Sequence, residues 1–95
     1  MSKRERKHYV YKSADHTNNL CGKQVARYRK ELKISQRELA DRLQLIGLDI
    51  DKNAIQRIES GQRFVTDIEL KALGTVLHCT LEALIGAESA AEKRQ

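Results

Sequence analysis

Four short oxygen-bearing side chains, Ser35, Asp51, Thr66 and Thr80, recur at nearly even intervals along this chain, each followed by apolar residues at helical spacing. Such side chains accept hydrogen bonds from the unpaired amides of a first helical turn, so each one marks a helix start. Two of them have glutamate three residues later, Ser35 with Glu38 and Thr66 with Glu69, the reciprocal pairing of a capping box. The starts lie so close together that only short helices fit between them. Asn53, with Gln56 three residues on, offers a second possible cap for the segment that Asp51 opens.

The apolar residues after each start supply one buried face apiece: Leu39, Ala40 and Leu43; Ile55 and Ile58; Leu70, Leu73 and Leu77; Leu81, Leu84 and Ile85. Upstream, from Leu20 onward, Cys21, Val25, Tyr28 and Leu32 recur four, three and four residues apart and predict a further helix ahead of these. Gly61 and Gly86 stand where the third and fifth helices should stop. Gly74, inside the fourth, costs about 1 kcal/mol against alanine and is expected to permit a close contact. With no proline and only five glycines, the chain reads as all-α.

Ninety-five residues support one core. The expected division is a basic arm over residues 1–19, a helical domain over 20–86 and a tail over 87–95. One stretch of the domain does not read simply: residues 44–53 hold Leu45, Ile46, Leu48 and Ile50, too apolar for a plain solvent loop, so some of them must turn inward.

The formal charge of +5 and pI of about 9.4 favour a polyanionic partner. In the arm, Lys3, Arg4, Arg6, Lys7 and Lys12 outnumber Glu5 and Asp15, and His8-Tyr9-Val10-Tyr11-Lys12 has the composition of a short strand or a subunit contact. No apolar run approaches the roughly 18 residues of a membrane span or opens the chain as a secretory signal would, so a soluble, cytoplasmic protein is expected, with Cys21 and Cys79 as thiols. An enzyme is not indicated. The chain has no glycine-rich phosphate loop, no metal-ligand motif and no Ser-His-acid set on converging helices; adjacent His78 and Cys79 have no further ligand beside them. No cofactor, metal or small-molecule ligand is implied. Tyr9, Tyr11, Tyr28 and Phe64 are too scattered to make the aromatic platform of a single-stranded RNA binder.

Residues 25–85 resemble the phage-repressor-like helix-turn-helix family of Xre and Cro type. The likeness rests on Arg29 in helix 1, Ser35-Gln36-Arg37-Glu38-Leu39-Ala40 in helix 2, Ile55-Gln56-Arg57-Ile58-Glu59-Ser60-Gly61 in helix 3, and Leu77, Leu81 and Leu84 near the end. The resemblance implies a five-helix lambda-repressor-like DNA-binding domain, here with a long connection between helices 2 and 3 in place of the usual three or four residues. His78 also stands where relatives often carry glycine. By the same resemblance the protein binds double-stranded DNA as a homodimer and regulates transcription, a repressor before an activator, with helix 3 in the major groove. Base contacts would come from Lys52, Asn53, Gln56 and Arg57, Arg57 suiting guanine and Asn53 or Gln56 suiting adenine. Gln36, Arg37, Arg63 and Lys33 would hold phosphates, and Arg29 would pair with Glu59 across helices 1 and 3. A second reading is an antitoxin-like or accessory module that binds DNA only with a partner protein. Its mark would be an apolar tail, and Ala87-Glu88-Ser89-Ala90-Ala91 is weakly apolar.

Overall fold

The computed structural model describes residues 16–86. They form α1 (Gly22–Glu31), α2 (Gln36–Leu45), α3 (Lys52–Glu59), α4 (Asp67–Leu77) and α5 (Leu81–Ile85), with no strand among the described residues. None of these helices is long and apolar enough to cross a membrane. The segment of residues 8–12 and the tail of residues 87–95 lie outside the described residues.

All four anticipated caps are in place. Ser35 accepts from the Glu38 amide at 3.0 Å, Asp51 from Ala54 at 2.8 Å, Thr66 from Glu69 at 3.1 Å and Thr80 from Ala83 at 3.0 Å. Asp51 therefore starts α3, and Asn53 falls within it. Only one of the two expected capping boxes closes. The Glu69 carboxylate accepts from the Thr66 amide at 3.0 Å, whereas the Glu38 carboxylate accepts from Arg42, one turn along α2, at 2.8 Å. An exposed carboxylate four residues before a guanidinium has a competing partner, and in α2 that partner wins.

The core gathers one face from every helix. Val25, Leu39, Leu43, Ile55, Ile58, Leu73 and Leu84 are fully enclosed, each contributing about 1.5–3 kcal/mol by leaving water. Cys21 belongs to the same cluster, and burial pushes its thiol up to about 11, which keeps it protonated and unreactive at neutral pH. Helix α1 carries less of its predicted face than expected: Cys21 is the N-cap of α1, and Leu32 sits at its C-cap, partly open to solvent.

The connection from α2 to α3 is a helix stop followed by a packed loop. Gly47, at a φ of 99°, donates to Gln44 O and Leu48 donates to Leu43 O, both at 3.0 Å, the paired bonds that satisfy the last carbonyls of a helix. Leu48 then packs against the core, Ile50 is buried, and Gln44 Nε2 donates to Ile50 O at 2.7 Å. Leu45 and Ile46 stay outside. At the other end of the domain, a Cβ on Gly74 would stand 3.0 Å from Cys79 O, so its absence lets the α4–α5 turn fold back closely. His78 is the left-handed residue of that turn, at a φ of 60°.

Candidate nucleic-acid interface

Helix α3 has two faces of opposite character. Ala54, Ile55 and Ile58 are buried, and Lys52, Asn53, Gln56 and Arg57 are exposed. At 3.6 residues per turn the four polar positions share one stripe, opposite the isoleucines. The core thus holds α3 by one side and leaves a stripe of donors and acceptors facing out.

Beside the start of that stripe, α2 and α3 enclose an open groove of about 330 Å³ lined by Arg37, Ala40, Asp41, Gln44, Asp51, Lys52 and Asn53. Arg37 on α2 and Lys52 and Asn53 on α3 meet there. Asp41 and Gln44 were not singled out from the sequence. Their spacing, Asp41 four residues after Arg37 and Gln44 three after Asp41 along one helix, is the signal that puts them on its face.

Glu59, at the end of α3, is the centre of a polar cluster that joins three parts of the fold. Arg29 donates to it twice, from Nε to Oε2 at 2.7 Å and from Nη2 to Oε1 at 3.1 Å, and Arg29 Nη1 donates to Ile34 O at 2.9 Å. The side chains are 12% and 9% exposed, so the pair is largely withdrawn from water. Gln36 joins them. Its Nε2 donates to Glu59 Oε1 at 2.9 Å, so the amide expected on a phosphate is engaged inside the protein.

Arg63 is engaged within the protein in the same way. Its guanidinium donates to both carboxylate oxygens of Glu69, at 2.9 and 3.0 Å, and to Phe64 O at 3.1 Å. The hydrogen bond from Arg63 is the main force holding the Glu69 carboxyl below its usual range, partly opposed by burial and aided by Thr66. The closed capping box explains the capture, because it already fixes Glu69 where Arg63 can reach it.

Of the remaining anticipated phosphate contacts, Arg37 and Lys33 are both exposed. Lys33 carries a constraint the sequence does not advertise. It adopts a φ of 61° just past α1, where Lys33 donates to Lys30 O and Ile34 to Arg29 O. Glycine is the usual occupant of such a position.

Ahead of α1, Asn18 and Asn19 bind the end of α3 and the loop beyond it, although the sequence pattern places them in the arm. Asn18 donates its backbone amide to Gly61 O at 2.8 Å and its side-chain amide to Gln62 O at 3.0 Å. The folded unit therefore takes in residues before Leu20. An asparagine just before a predicted helix signals a cap; nothing in the sequence signals a partner forty residues away.

The helix-turn-helix family model matches residues 25–84, which is more than half of the chain and spans all of α2, α3 and α4. No curated protein and no solved structure gives a significant match.

Proposed function

Because the chain belongs to the helix-turn-helix family of Xre and lambda-repressor type, a family of DNA-binding regulators, we propose that it reads a specific duplex with α3 in the major groove and represses transcription there. The observation that carries this reading is the exposed stripe of Lys52, Asn53, Gln56 and Arg57, held outward by Ile55 and Ile58. Arg57 has the fork geometry to donate twice to guanine O6 and N7, and Asn53 and Gln56 have the amide geometry for adenine N6 and N7.

Phosphate binding rests first on Arg37 and Lys33, which are exposed; Gln36 and Arg63 give some of their N–H donors to Glu59 and Glu69 and keep others for a phosphate. Arg29 and Glu59 act as architecture in this reading. Their buried fork ties α1 to the end of α3, which fixes the helix that carries the base-reading stripe.

A selection of bound duplexes from a random pool tests the proposal. It should return one preferred sequence. On that sequence Arg57→Ala and Asn53→Ala should each cost about 1–3 kcal/mol of binding and relax the preference at a single base position. Equal weakening on every duplex would mean that these residues touch phosphates, and the assignment of α3 to base reading would fail.

A further inference from the structure

Residues 17–19 cross the C-terminal end of α3 as a strap. Asn19 is its centre: Nδ2 donates to Ile58 O at 3.1 Å and to Arg63 O at 2.7 Å, and Oδ1 accepts from the Gly22 amide at 2.8 Å. One planar amide thereby joins the start of α1, the last turn of α3 and the loop that leads to α4. The Thr17 hydroxyl donates to Asn19 O at 2.7 Å, and the Thr17 side chain fills the space where Gly61 lacks a Cβ. Contact between the helices is as close as backbone allows, because a Cβ on Gly22 would strike the carbonyl oxygen of Ile58.

This geometry bears on base reading through leverage. Helix α3 has eight residues, a rod of about 12 Å at 1.5 Å per residue, so a tilt of about 10° at its C-terminal anchor moves its first residues by about 2 Å. Bidentate base contacts tolerate roughly 0.5 Å, while the long side chains that hold phosphates follow such a shift. Both Asn19 donors lie at the anchored end, and Lys52 and Asn53 lie at the far end.

We propose that Asn19 is a positioning residue for sequence recognition: its amide sets the angle at which α3 is presented, and so governs discrimination between duplexes more than general affinity for DNA. The proposal rests on the reading of α3 as the base-reading helix. It also separates from the simpler role of capping α1, because aspartate at this position would keep the acceptor for Gly22, lose both donors, and set a carboxylate against two carbonyl oxygens.

The test uses the full chain with Asn19→Asp, Asn19→Ala and, as a control for lost stability, Thr66→Ala, which removes a cap on α4 and leaves the strap intact. Binding is measured to the selected duplex and to a random-sequence duplex of equal length, at a temperature where circular dichroism shows every variant folded. Both Asn19 variants should lose about tenfold on the selected duplex, the scale of a hydrogen bond or two, and little on the random one. Thr66→Ala should lose on neither. If Asn19→Asp matches the wild type, the residue only caps α1; if both duplexes weaken equally, it only supports the fold. Either result overturns the proposal. Amide hydrogen exchange supplies a readout without DNA: in either Asn19 variant, exchange over residues 56–62 should quicken relative to α5, and a uniform increase would also overturn the proposal. Should the wild type prefer no duplex, the reading of α3 fails, and the exchange measurement still decides what Asn19 holds.

Discussion

Glu59 shows how much one side chain organises here. It accepts from Arg29 and Gln36, on different helices, while being only 9% exposed. Glu59→Ala would leave a guanidinium buried without its partner, at a cost of about 3 kcal/mol. The melting temperature should drop and binding to the selected duplex should weaken with it; an unchanged melting curve would refute the architectural role. Glu69 makes a pH prediction. Its carboxyl lies below the ordinary value of 4.5 in the folded state, because Arg63 donates to the ionised form. A group whose folded-state value is lowered adds stability above its unfolded value and loses it as pH falls through the folded one. Thermal melts from pH 6 down to about pH 3 should therefore fall less steeply in Glu69→Gln, which can still accept from the Thr66 amide, than in the wild type. Lys33 offers a case in which stability and binding should part. Glycine at its left-handed φ relieves a strain of about 1 kcal/mol, so Lys33→Gly should melt higher while its salt-dependent DNA affinity falls. A variant that melts higher and binds as well as the wild type would remove Lys33 from the phosphate contacts.

Among the elements, the two glutamate-containing starts invite a direct comparison. The Thr66 box is closed and the Ser35 box is half open, so Thr66→Ala should cost about 1 kcal/mol in urea denaturation and Ser35→Ala less. Equal costs would mean that the returning glutamate adds nothing. That comparison also shows what the sequence makes legible. Ser35, Asp51, Thr66 and Thr80 satisfy amides only three residues away, so a start can be read locally, and the periodicity after each start reveals which face is buried. The exposed stripe of α3 was legible for the same reason, since Ile55 and Ile58 imply where Lys52, Asn53, Gln56 and Arg57 must point. Partners chosen by tertiary placement were not. Gln36 and Arg63 look like free surface donors until Glu59 and Glu69 are seen beside them. Asn19 binds carbonyls 39 and 44 residues away, and every residue has a carbonyl, so no residue type marks the partner. Gly47 was readable as a glycine but not as the stop of α2, because the apolar residues around it continue the helical pattern past the point where the chain turns.

At the scale of the whole molecule, the reach of one domain is the argument for the homodimer that the family resemblance implies. An eight-residue α3 with four outward side chains spans only a few base pairs, too few to select one site among the roughly 10⁶–10⁹ that a genome offers. Two copies with their α3 helices about 34 Å apart, one helical turn of DNA, would read two half-sites and multiply the discrimination. Helix α5 has the surface for such a pairing. Leu81 and Ile85 are 45% and 40% exposed at the end of the domain, and Ile85 lines a groove with Leu20, Phe64, Val65 and Leu70. A lysine placed in an apolar contact between two copies would have to lose water without gaining a partner, so Ile85→Lys should separate the subunits while leaving each core intact. Sedimentation should show the wild type as a dimer and Ile85→Lys as a monomer with a near-native melt. On a duplex with two half-sites the variant should bind at least tenfold more weakly, and on a single half-site the two proteins should bind alike, because the bases seen by each α3 are unchanged. If the variant still sediments as a dimer, the contact lies elsewhere on the chain. If the wild type is a monomer and gains nothing from a second half-site, recognition by paired domains is refuted.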